Sequence, residues 1–258
     1  MNILPQEYKN AINLEHGSIK MQSRVLFVVI LLLDLLVSFN PYASSDFSPL
    51  MDYLSSGDVD YTGPMAIPVT DANIIYILTV VALEMLCAMI VGIFSGVMAR
   101  KVDVSKDLTA ETGVGKITVR KCIVWILFVL LMTIPFVLSA VYMLIPTLFI
   151  LPGIVMLPAV YLNGDVNIFK SVGRTVSLLR RNYFKTINVI ILIYLTYYVI
   201  NFICNMVIYQ LSSPAAFVIS AFIEAWCWTA LGRFAAARYG VLRYMKGANP
   251  LQTPNVGQ

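Results

Sequence analysis

From Cys122 to Leu162 the chain runs for 41 residues without a charged side chain. An α-helix rises about 1.5 Å per residue, so one continuous helix of that length would be about twice as long as a hydrocarbon core is thick. Such a core offers no partner to an unpaired backbone N–H or C=O, which restricts crossing segments to internally bonded helices or closed barrels. The run is therefore expected to fold as a tight hairpin of two spans, turning between Ser139 and Pro146.

The same ruler predicts membrane-spanning helices over about 25–40, 73–99, 122–140, 143–162, 186–211 and 214–233. The expected fold class is an all-α integral membrane protein with six transmembrane helices, a single domain over 1–258. Composition points the same way: 59% of residues are hydrophobic and 12% are charged, against roughly 25% charged in a soluble domain. That leaves too little polar surface to wrap a water-soluble core. The first span is the shortest. A 24-residue polar stretch before it and the lack of a clean small-x-small site after it predict a retained span rather than a removed signal.

Charge placement orients the spans. All 18 Lys and Arg residues fall in segments 1–24, 100–121, 163–185 and 233–246, which six spans put on one side. Loop 41–72 instead holds Asp46, Asp52, Asp58, Asp60 and Asp71 and no basic residue. By the positive-inside rule both termini are expected in the cytoplasm of a bacterial cell, in its plasma membrane. On this reading 1–24 is a cytoplasmic tail, 41–72 an irregular acidic external loop and 244–258 a flexible cytoplasmic tail. The formal charge of +4 carries no argument for nucleic acid, because in such a chain position along the sequence is what informs.

Several chemistries are excluded by count. His16 is the one histidine, so a His-based triad, a multi-His metal site or a His proton relay is ruled out. Cys87, Cys122, Cys204 and Cys227 form no CxxC pair and lie in or beside apolar runs, where they read as small packing residues. Gly115 and Lys116 resemble the end of a phosphate-binding loop, but Ala110 stands where its first glycine belongs and Ile117 where its hydroxyl belongs. Asp58 and Asp60 lack the rest of a calcium loop. No catalytic residue, cofactor, metal or nucleic-acid partner is expected.

Three acids inside the predicted spans are more informative. Asp34, Glu84 and Glu224 are each expected near mid-bilayer, where an ionised carboxyl costs several kcal/mol unless paired or wet, and no Lys or Arg shares that depth. Asn201 and Asn205 stand four apart on one helix face, with Tyr194, Tyr197 and Tyr198 nearby. Together these form a candidate intramembrane polar site for a proton or cation; the alternative is three acids that each hydrogen-bond singly and serve packing. Gly92 and Gly96 form a GxxxG, and Ala216 with Ser220 and Gly232 with Ala236 repeat the small-xxx-small spacing, which lets helices approach closely. Packing within the bundle is expected of them.

An amphipathic interfacial helix is predicted at about 165–182. Val166, Phe169, Val172, Val176, Leu179 and Tyr183 recur at three- and four-residue steps, with Lys170, Arg174, Ser177 and Arg181 opposite and Asp165 as its cap. Lying in the cytoplasmic interface, Lys170, Arg174, Arg180, Arg181 and Lys185 would each gain about 1 kcal/mol from anionic headgroups.

The stretch "LPGIVMLPAVYLNGDVNIFKSVGRTVSLLRRNYFKTINVIILI" resembles the membrane domain found beside bacterial glycerophosphodiester phosphodiesterases and in stand-alone bacterial six-span proteins. The shared order is a Pro-rich span, a short helix of the pattern Ala-x-x-Arg-Ser-x-x-Leu, and a basic, aromatic patch entering the next span. Arg174 and Thr175 stand at the Arg-Ser position, Leu178 or Leu179 at the Leu, and Tyr183 and Phe184 in the patch; the "NGD" turn replaces an acidic residue. The likeness spans about 145–243. It implies a non-enzymatic membrane module, since the phosphodiesterase chemistry belongs to a separate soluble domain.

The function expected is thus that of a membrane accessory or scaffold module touching lipid headgroups, a protein partner or a second copy. The competing class is a transporter or permease component, favoured by the three acids and by Pro135, Pro146, Pro152 and Pro158, which can break helices near a substrate path.

Overall fold

The computed structural model describes residues 5–14, 19–56, 69–104, 117–142, 144–208 and 213–247, without the side chains at 54, 56, 102–104, 136–149, 205, 208, 213 and 243–247. Within them every regular element is an α-helix: α1 Gln6–Ile12, α2 Lys20–Ser38, α3 Ser48–Ser56, α4 Asp71–Val104, α5 Val119–Tyr142, α6 Leu144–Asn163, α7 Ile168–Leu179, α8 Tyr183–Ile208 and α9 Ser213–Gly247. Runs of Val and Ile that would favour strands in water are helical here, because an apolar surround rewards internal backbone bonding above side-chain propensity. By length and composition α2, α4, α8 and α9 can each cross a membrane, and Ile150–Asn163 of α6 is a shorter apolar helix. The two helices of the uncharged run, α5 ending at Tyr142 and α6 beginning at Leu144, pack on each other, and Met143 lies outside the described residues.

Helix α9 is the hub, packing against α1, α2, α4, α6 and α8. Its buried residues include five small ones, Ala221, Ala225, Ala230, Ala235 and Ala236. Gly232 meets Val91 of α4, where an added Cβ would come within 3.1 Å. The Gly92 and Gly96 pair serves α5 and α6. A Cβ on Gly92 would sit 2.4 Å from the Trp125 ring and one on Gly96 2.6 Å from Leu162. Trp125, lying across α4 at that point, donates its indole N–H to the Met89 carbonyl at 3.2 Å. Asn163 at the end of α6 donates to the Gly96 carbonyl at 3.0 Å, and Lys121 Nζ donates to the Gly164 carbonyl at 2.6 Å. A cation on the last carbonyls of a helix completes groups that the helix itself leaves unpaired.

The segment before the first span, expected to be a polar tail, instead contributes a docked helix. Tyr8 and Ala11 of α1 are buried, and the Tyr8 hydroxyl lies 2.6 Å from Thr196 Oγ1 of α8. The sequence pattern treats Arg233 and Arg238 as charged flanks of the last span; both are buried within α9, which continues unbroken to Gly247. Arg233 donates to the carbonyls of Asn10 and Leu14 and, at 2.7 Å, to Ser23 Oγ. Arg238 pairs with Glu7 and donates to Thr186 Oγ1. Trp226 adds a hydrogen bond to the Ile12 carbonyl. The last carbonyls of α1 are thus capped from α9.

Three further differences follow from local chemistry. Pro135, Pro152 and Pro158 lie inside α5 and α6, which run through them rather than breaking. The acidic loop before α4 carries a short helix, α3, whose start is set by Asp46: its carboxylate accepts the Ser48 hydroxyl and, at 2.9 Å, the Ser48 N–H, which holds it below the usual carboxylate range. Helix α2 ends one turn past Asp34, and the Phe39–Ser44 stretch makes up the remaining length, its Ser44 N–H reaching the Ala72 carbonyl at the head of α4. Asn73 fastens this join by donating to the Ser44 and Asp46 carbonyls.

Replacing Gly92 by Leu should lower the stability of the detergent-solubilised chain by about 1–3 kcal/mol, the usual cost of overpacking. An unfolding midpoint equal to that of the unaltered chain would show that Trp125 does not rest on α4 there.

Candidate functional site

The three acids come from three helices that share α9 as neighbour. Asp34 is in the last turns of α2, Glu84 about three turns into α4, and Glu224 about three turns into α9. Their side chains converge: Glu84 and Glu224 hydrogen-bond to each other, and the charges acting on Asp34 are those of Glu224 and Glu84. Two carboxyl groups can hydrogen-bond only through a proton held between them. Asp34 is 2% exposed, and both of its carboxyl oxygens are buried without a hydrogen-bond partner. Exposure rises across the set, from buried Asp34 through half-buried Glu224 to exposed Glu84.

Around the acids stand groups that the sequence reading assigned to packing or left at the margin. Cys87 lies one turn along α4 from Glu84 and is close enough to feel all three carboxyls; Cys227 lies one turn along α9 from Glu224 and feels two. The signal that could have found them is a repeated spacing, Glu-x-x-Cys in "EMLC" at 84–87 and again in "EAWC" at 224–227, which places acid and thiol on one helix face. From α8, Tyr197 and Tyr194 face the same acids. Tyr198 is exposed, and Asn201 accepts a hydrogen bond from Ser220 at 3.1 Å, about one turn away along α9 from Glu224. The side chain of Asn205 lies outside the described residues. Among the described residues, no group of three or more His, Cys, Asp or Glu is placed to hold a metal ion.

The second candidate region is α7, which has three faces rather than two. Ile168, Ser171, Thr175 and Leu179 are buried, and the helix packs on α6. The apolar residues Phe169, Val172 and Val176 form an exposed stripe, with Phe169 72% exposed. At about 100° per residue the exposed cations Lys170 and Arg174 fall on the remaining face, and exposed Arg181 follows the helix end. Arg180, Lys185 and Phe184 are exposed beyond its end. The cap is Asn167, not Asp165: its side chain accepts the Lys170 N–H at 2.9 Å. Both residue types can cap; the helix runs over 168–179 rather than about 165–182, and Ser171 and Thr175, not Val172 and Val176, are on the side that meets the bundle.

No protein-family model, no curated protein and no solved structure matches this chain. Its chemistry is therefore read from the geometry alone.

A buried carboxyl with no partner costs the folded state about 1–3 kcal/mol. Asp34→Leu should therefore raise the unfolding midpoint of the solubilised chain. A lowered midpoint would mean that Asp34 is satisfied in the folded bundle.

Proposed function

We propose that the chain is a component of a membrane transporter or permease, with Asp34, Glu84 and Glu224 as an ion-handling site between its spans. The observation that carries this reading is the meeting of three acids from separate helices around Asp34, whose carboxyl is buried and unpartnered. Acids kept for packing alone would sit apart, each satisfied by a local hydroxyl or carbonyl. Ionisable groups inside a span are costly, and they persist where they line an ion path. In this reading the six predicted spans cross a bacterial plasma membrane with both termini at the basic, cytoplasmic face, and the chain carries out no covalent chemistry. Vesicles containing the full chain should dissipate an imposed proton, sodium or potassium gradient faster than empty vesicles, and Asp34→Asn should remove the difference. Rates equal to those of empty vesicles for all three ions would overturn the proposal, and tags at the two ends accessible from opposite faces would overturn the six spans.

A second reading is favoured by α7. Its exposed Phe169, Val172 and Val176 stripe beside exposed Lys170, Arg174 and Arg181 suits a helix lying at the headgroup level. That is the surface an accessory or scaffold module would use on anionic lipid, and it agrees with the resemblance to the phosphodiesterase-associated membrane domain. Changing Lys170, Arg174 and Arg181 together to Gln should reduce the anionic lipid retained per chain in native mass spectra. Unchanged retention would leave α7 as an ordinary link between spans.

A further inference from the structure

We propose that Arg238 and Thr186 form a site for a phosphate-bearing anion, and that Glu7 of α1 occupies it as a tethered stand-in which such an anion displaces. The site lies about four turns along α9 from Glu224, at the end of the bundle where α8 begins, and is independent of the three acids. Arg238 is 3% exposed. Its Nε donates to the Thr186 hydroxyl at 3.3 Å, and its Nη1 pairs with the Glu7 carboxylate. Its Nη2 is buried and has no hydrogen-bond partner. A guanidinium offers its N–H donors as a rigid fork matched to two oxygens side by side, and a phosphate group supplies such oxygens. Glu7 engages one prong and leaves the other bare, so the occupant seen here fits the site less well than a phosphate would.

The placement of α1 lets the two exchange. It lies antiparallel along α9, with Glu7 at Arg238, Asn10 at Arg233 and Ile12 at Trp226. Glu7 is 32% exposed above the enclosed guanidinium, so an incoming anion meets the carboxylate first. Exposed Arg181 and Lys185 stand beside the entrance, Lys185 directly before Thr186, and such a basic surround concentrates anions. The far end of α1 is held by bonds that an anion does not contest, from Arg233 to the Asn10 and Leu14 carbonyls and from Trp226 to the Ile12 carbonyl. The Glu7 end can therefore lift while the Ile12 end stays docked. Lifting gives up the Tyr8–Thr196 hydrogen bond and the first turn of a 7-residue helix that is marginal on its own.

The test is hydrogen–deuterium exchange of segment 5–14 in the full chain, held in micelles of a maltoside detergent, which carries no phosphate. Added phosphatidylglycerol should speed exchange of the Lys9–Ala11 amides about tenfold, an ordinary coupling between two ligands of one protein. Acceleration by phosphatidylglycerol alone assigns a lipid headgroup, and acceleration by inorganic phosphate as well assigns a phosphate from either source. Acceleration by neither overturns the site. Equal acceleration by sodium chloride at matched ionic strength also overturns it, because screening of the Glu7–Arg238 pair would then be the cause. Arg238→Lys, which keeps the charge without the fork, should lose most of the response; an undiminished response would show that Arg238 does not hold the anion. The coupling is reciprocal, so Glu7→Gln should tighten phosphatidylglycerol binding in native mass spectra about tenfold, and unchanged binding would overturn the stand-in. A variant carrying Lys170→Gln, Arg174→Gln and Arg181→Gln should keep the acceleration; its loss there would assign the effect to α7 and overturn the site at Arg238.

Discussion

The close approach of helices to the small-residue side of α9 is the contact on which the bundle depends. In an apolar surround helices gain nothing from hiding leucine from water, so association depends on packing contact and on backbones that can come near. Alanines at 221, 225, 235 and 236, with Gly232, give α9 a side along which α2 and α4 can lie close, while Ala230 on its other side faces α8. The acids meet because of it. Glu224 sits one residue before the buried Ala225, so the small residues that draw α2 and α4 inward also bring Asp34 and Glu84 to the same level.

The basic end of the bundle is held by a different force. Arg233 and Arg238 are buried, and a buried guanidinium is tolerable only when its N–H groups find acceptors. Those acceptors are supplied largely by the N-terminal segment: the Asn10 and Leu14 carbonyls for Arg233 and the Glu7 carboxylate for Arg238. Helix α1 is only 7 residues long and would be marginal alone in water. Its docking and the burial of the arginines are therefore mutually dependent. Removing α1 would strand two charges, and removing the arginines would strand the last carbonyls of α1.

Four helices long and apolar enough to cross a membrane were legible because that property follows from length and apolarity alone; the other two expected spans correspond to α5 and to α6, of which Ile150–Asn163 is a shorter apolar helix. What was not legible shares one cause: it depends on how helices rotate against one another. Periodicity finds the apolar stripe of α7 but cannot say that Ser171 and Thr175, not Val172 and Val176, meet α6; a membrane removes the rule that apolar faces turn inward. Positive-inside counting takes Arg233 and Arg238 for exposed flanks, since most of their partners lie more than 200 residues away in sequence. The convergence of Asp34, Glu84 and Glu224 is of the same kind. Only the repeated Glu-x-x-Cys spacing on α4 and α9 hinted that the two helices present equivalent faces.

Docking of α1 also bears on how the acids communicate with their surroundings. Tyr8 and Ala11 share one apolar cluster with Cys227, Ile193 and Phe234, and Cys227 in turn neighbours Glu224 and Glu84. On the opposite flank, α2 stops one turn past Asp34 and the Phe39–Ser44 stretch, pinned by Asn73, covers its end. Glu84 is the member of the set left exposed, and it projects from α4 toward Tyr194 and Tyr197 of α8.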